Sequence, residues 1–132
     1  MSAIHKYRLS GTGALLMGLS VIMGAFGAHL LGDKMTAEIL QAYRTGVLYA
    51  LIHSMAMLMW PLFKGSFTPK RQKLIWQMLF WGLIFFSGSL WTMGVAEAMG
   101  IDWHFLGVIT PIGGVTWTIA WFLMAYSLFS NS

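Results

Sequence analysis

The residues of this sequence that could do chemistry are few and lie in apolar surroundings. His53 interrupts an apolar run from Gly46 to Phe63, His29 stands near the end of another, and a third offers Ser87 and Ser89 at a depth similar to that of His53. A buried imidazole can bind a ligand, pass a proton, or be satisfied by a hydrogen bond from a neighbouring helix. For His53 the last role is the first expectation and ligand or proton binding the alternative. Haem or metal held between His29 and His53 is not expected, because their backbones differ in depth by roughly 6 Å and no carboxylate is at hand to orient the rings. Nucleophilic catalysis is not expected either. Ser54 follows His53 directly, adjacent helical residues do not face one another, and FFSGSL from Phe85 to Leu90 is not a strand-to-helix nucleophile turn. The acids Asp33, Glu38, Glu97 and Asp102 sit at the margins of the apolar runs, so no carboxylate pair or triad is on offer. No catalytic residue, cofactor or metal site is expected, and His104 reads as an interfacial residue.

The elements that must position these residues follow from composition. Of 132 residues, 58% are hydrophobic and 9% charged, too few charges to cover the surface of a soluble domain. A bilayer core of about 30 Å needs roughly 20 apolar residues per helix, and four runs qualify: about 12–31, 37–63, 74–99 and 111–129. The expectation is one all-α domain, a four-transmembrane-helix bundle. A net charge of +4 does not point to nucleic acid, since the basic residues are scattered in short loops. With no cysteine there is no disulfide or thiolate site.

Charge sets the orientation, because cytoplasmic flanks collect Lys and Arg. Lys6, Arg8, Lys64, Lys70, Arg71 and Lys73 lie at one end of the expected bundle, and only Lys34 and Arg44 at the other. Both termini are therefore placed in the cytoplasm. The first run resembles a signal peptide in its basic start and in the small residues from Ala25 to Ala28, but at about 20 residues it exceeds the usual 7 to 15, and it is read as a retained span.

Helix ends are marked locally. Thr36 is an N-cap candidate with Glu38 in the first turn. From Ala37 to Phe63 a helix would run about 40 Å, longer than the core, so its first turns should project outward with Arg44 snorkelling. Thr110 before Pro111 reads as a cap followed by proline at the first helical position. That leaves Ile101–Ile109 along the outer interface. The rival is one longer helix kinked at Pro111. Small residues at four-residue spacing let helices approach in lipid. Ser20, Gly24 and Ala28 form one such row, Gly88, Thr92 and Ala96 another, and Gly113 and Gly114 open the last span.

Four motifs in register resemble the YgdD/YwdK-type family of small bacterial inner-membrane proteins of unknown function. They are GAFGAHLL at Gly24–Leu31, YALIHSMAML at Tyr49–Leu58, FFSGSLW at Phe85–Trp91, and TPIGG at Thr110–Gly114 followed by Trp121. The similarity covers about residues 11–129. It implies a four-helix protein of the cytoplasmic membrane with no established activity, matched at Gly24, Gly27, His29, Tyr49, His53, Ser87, Gly88, Ser89, Thr110, Pro111, Gly113 and Gly114. Arg44 and Thr45 ahead of Tyr49, and the Trp-rich third span, depart from the usual pattern.

Two functional readings result. The first is a non-enzymatic structural or lipid-associated membrane protein, with lipid and a second copy or another membrane protein as its partners. The alternative is a small-ligand or proton module whose outward-facing polar pocket is lined by His29, His53, Ser87, Ser89, Thr110, Gly113 and Gly114.

Overall fold

The computed structural model describes residues 3–63 and 65–130, with side chains from Tyr7 onward. The side chain of Lys6 and the whole of Lys64, both used in the charge count, lie outside the described residues. Among the described residues there is no strand. Helix α1 (Ala3–Phe26) runs on through a π turn at Gly27–Leu31 and a 3-10 turn at Gly32–Lys34, and α2 (Ala37–Leu58) returns antiparallel to it. A 3-10 turn at Trp60–Phe63 leads toward α3 (Pro69–Leu83), which continues through a second π turn, Ile84–Gly88, into α4 (Ser89–Ala98). The last helix, α5 (Thr110–Phe129), follows a 3-10 segment at His104–Val108. Among the described residues three stretches are long and apolar enough to cross a membrane: Tyr7–Lys34, Pro69–Ala98 and His104–Phe129. Helix α2 is more polar, because Gln41, Arg44, Thr45, His53 and Ser54 interrupt it.

Local chemistry explains the ends. Thr36 is extended, and its hydroxyl accepts from the Ile39 N–H at 3.4 Å. Thr68 does the same for Arg71, with Pro69 in the first turn where its missing N–H costs nothing. The third rod therefore starts at Pro69, five residues before the apolar run does. Gly100 closes α4 at φ +77, with Ile101 N–H on the Ala96 carbonyl at 2.8 Å and Gly100 N–H on Glu97 at 2.9 Å. This is a Schellman end, and a side chain at Gly100 would strain it.

The seams repeat every 3.5 residues. On α2 the buried positions include Ile39, Tyr43, Gly46, Ala50, His53 and Met57, and on α5 they are Gly113, Trp117, Ala120, Met124 and Ser127. Alternating steps of four and three keep one face on a neighbour along a left-handed crossing. On α1 the same rule selects Gly13, Leu16, Ser20 and Gly27. Gly13 lies on the α2 backbone at Met57 and Leu58, and Gly27 beneath the Tyr43 ring. Gly24 meets Val47, whereas Ala28 stands on the outer face because the seam passes from Ser20 to Gly27, and strict four-residue steps drift off it. The α3–α4 rod packs on both α2 and α5. Leu15 and Phe122, 73% and 72% exposed, typify the apolar outer surface, which in lipid needs no cover.

Candidate functional site

The polar side chains between the helices fall on separate levels. Nearest the end formed by Thr36, Gly100 and Thr110, Tyr43 is fully buried between Gly27 and Gly94, and its hydroxyl donates to the Met23 carbonyl at 2.5 Å. His29 lies in the adjoining π turn and is exposed.

One turn further along α2, Ser87 donates to the Gly46 carbonyl at 2.6 Å. A π turn is what delivers Ser87 here, because the extra residue rotates it toward α2. Ser89 bonds the Phe86 carbonyl at 2.8 Å and the Thr110 hydroxyl at 2.7 Å. Thr110 thus joins α4 to α5 and does not cap the helix. The 3-10 segment runs into α5, and Ile112 and Gly113 N–H groups point to the Ile109 carbonyl at 3.1 and 3.4 Å. Gly113 sits against the backbone of Phe86 and the Gly82 carbonyl, and Gly114 beside the Phe86 ring.

The third level holds His53. Its ring stacks on Trp117 at 3.5 Å between centroids and 6° between planes. Nδ1 is 2.7 Å from the Tyr49 carbonyl and Nε2 is 3.0 Å from Trp121 Nε1. A carbonyl only accepts and an indole N–H only donates, so this geometry selects the neutral tautomer protonated on Nδ1 and occupies both ring nitrogens. Trp117 Nε1 donates to the Leu79 carbonyl at 3.0 Å, and Tyr49 and Phe86 complete the ring cluster. Seven residues, about 10 Å, separate Gly46 from His53 along α2. His53 is five residues from the helix end at Leu58. Ser87 and Ser89 therefore stand at the level of Gly46, and the interhelical partners of His53, Trp117 and Trp121, come from α5. The expectation that Ser87 and Ser89 share the depth of His53 fails because Tyr43, ahead of the apolar run from Gly46, is already packed inside the bundle. The residues expected around one cavity, from His29 to Gly114, are distributed over these three levels.

Gly88, Thr92 and Ala96 line a different feature. Together with Leu19 and Met23 of α1 and Trp91 of α4 they border an open apolar groove of about 450 Å³. The Thr92 hydroxyl turns back to the Gly88 carbonyl at 2.7 Å, and no helix presses on Gly88.

A second polar cluster closes the Thr36 end from outside. Glu97 accepts from the Thr36 N–H at 2.8 Å and from its hydroxyl at 3.2 Å. His104 bridges Glu97 at 3.4 Å and Asp102 at 2.6 Å. The His104 backbone N–H, then its imidazole hydrogen bond and charge, hold the Asp102 carboxyl below the usual carboxylate range. Among the described residues no three His, Asp or Glu side chains group to hold a metal.

Sequence reasoning missed Tyr43, Trp117 and Glu97. The 4-3-4 spacing would have selected Tyr43 and Trp117. Glu97 carries no local signal, since Thr36 lies 61 residues away.

Residues 23–114 match the family described as protein of unknown function (DUF423). The UPF0382 membrane protein YwdK of Bacillus subtilis is 35% identical, covering 85% of this chain and 88% of its own. The UPF0382 membrane protein SSP2132 of Staphylococcus saprophyticus is 32% identical over 89% of this chain and 92% of its own. The inner membrane protein YgdD of Escherichia coli is 32% identical over 79% and 76%. No solved structure matches. With the family match spanning most of the helical unit and these relatives covering 79 to 89% of the chain, it belongs to the DUF423 (UPF0382) family and is a protein of the bacterial cytoplasmic membrane.

Proposed function

We propose that this protein is a non-enzymatic, lipid-associated structural module that crosses the bilayer four times with both ends in the cytoplasm. The observation that carries the structural role is the pairing of the interhelical polar groups. Tyr43, Ser87, Ser89, Thr110, Trp117 and Trp121 each spend a hydrogen bond on another helix, and both nitrogens of His53 are engaged. Polar contacts of this kind join helices where lipid offers no alternative partner.

Four crossings are supported by α2 itself. Its 22 residues give about 33 Å, enough for the core, and it lies along α1 from Gly13 to Gly27, so it shares α1's depth. The orientation is supported by Arg8, Lys70, Arg71 and Lys73 at one end against Lys34 and Arg44 at the other.

Reporter fusions to the two chain ends test the topology, with cytoplasmic signal expected from both and opposite signals overturning it. The role is tested in proteoliposomes carrying a pH gradient. The structural reading expects no dissipation beyond that of empty vesicles, and proton flux abolished by His53→Ala would replace it with the transport reading.

A further inference from the structure

We infer that the end of the bundle around the first turn of α3 is a binding surface for anionic glycerophospholipid headgroups. Lys70, Arg71 and Lys73 fall within four residues, and Arg8 of α1 lies at the same end. Lys70, Lys73 and Arg8 are exposed. Among the described residues no acid lies near them, since Asp33, Glu38, Glu97 and Asp102 all sit toward the opposite end, where the ion pairs are those of His104. The charges are therefore not neutralised within the described chain.

Arg71 is held in place from the side. Its guanidinium lies 5.3 Å from the ring centroid of Tyr126 on α5, a cation–π contact that fixes the charge beside an aromatic of the type favoured at the membrane surface. Basic residues next to the end of a membrane helix attract anionic lipid, and the phosphate of phosphatidylglycerol, whose negative charge no headgroup cation offsets, supplies what the chain omits here. This inference rests on the four-crossing reading, which puts the patch at the inner leaflet.

The test uses the full chain in neutral detergent, titrated with phosphatidylglycerol or phosphatidylcholine, with bound lipid counted by native mass spectrometry. The wild type is expected to bind phosphatidylglycerol more tightly, with the difference shrinking as salt is raised. Lys70→Gln with Lys73→Gln leaves the Arg71–Tyr126 contact in place and is expected to weaken phosphatidylglycerol binding about fivefold for each charge removed. Lys34→Gln at the far end is expected to leave it unchanged. A double variant that keeps the wild-type preference, or a wild type with none, overturns the proposal. The reporter fusions separate the two readings. Cytoplasmic ends without lipid preference remove only the patch, and an outward C-terminus with the preference intact removes only the topology.

Discussion

His53 and His104 are the same side chain with two partners each, near opposite ends of the bundle. His53 is 4% exposed, stacked on Trp117 and bonded to α5 through an indole N–H. The His104 side chain is 50% exposed and lies between two carboxylates. In lipid an unmade hydrogen bond has no substitute from water, so the His53 contacts act on helix packing. At the surface water competes for every partner of His104, and ion pairs there are worth little. Equal numbers of contacts thus carry unequal weight, and substitutions at the two ends should rank accordingly.

The largest effect is expected where the buried level depends on backbone approach. A Cβ at Gly113 would meet Phe86 N and sit 2.8 Å from the Gly82 carbonyl, with no flexible side-chain tip to yield. Gly113→Val should push α5 off α3, separate Trp117 from His53, and cost about 3 kcal/mol, the upper part of the range for overpacking. Unfolding measured in bicelles reads this directly. A loss below about 1 kcal/mol would show that the rods slide apart freely, and the contrast between the ends would narrow.

Next comes the hydrogen bond itself. Trp121→Phe keeps a ring but removes the donor to His53 Nε2. Interhelical bonds in membranes average well under the vacuum value, so about 1 kcal/mol is expected. His53→Ala should cost more, because it also empties the stack on Trp117. Equal losses in the two variants would mean that the stacking adds nothing.

Much of this arrangement was legible in the sequence. The all-helical class followed from apolar runs between charges, and the start of α2 followed from Thr36. The levels were not legible, for two physical reasons. Tyr43, ahead of the apolar stretch of α2, is already packed inside the bundle, so His53 lies further from the Thr36 end than that stretch suggests. The π turn at Ile84–Gly88 inserts an extra residue that no composition signal announces, which turns Ser87 inward. A heptad count would have found Tyr43 and Trp117, whereas Trp121 as the partner of His53 required knowing how α2 and α5 align.

A smaller effect is expected at the outer cluster. Glu97→Gln removes the charge that Thr36 and His104 share, but the amide oxygen can still accept the Thr36 N–H. About 0.5 kcal/mol is expected, reduced further by salt. A loss as large as that of Trp121→Phe would remove the distinction between the two regions.

The smallest effect is visible only through pH. His104 lowers the Asp102 carboxyl below its ordinary value, first through the backbone N–H and then through the imidazole. A depressed carboxyl contributes stability that is fully present above its unfolded value near pH 4, and that contribution is lost as pH falls through the lower folded value. Acidification below about pH 4 should therefore loosen the His104–Val108 segment in the wild type. Asp102→Asn should remove that acid-dependent step while leaving neutral-pH stability nearly unchanged, since the side chain is 82% exposed. Hydrogen exchange of the Leu106 and Ile109 amides, whose carbonyl partners are Trp103 and Leu106, is sensitive enough to follow it. Acid sensitivity identical in the two proteins would assign the step to another of the acids at that end, Glu97 beside His104 among them.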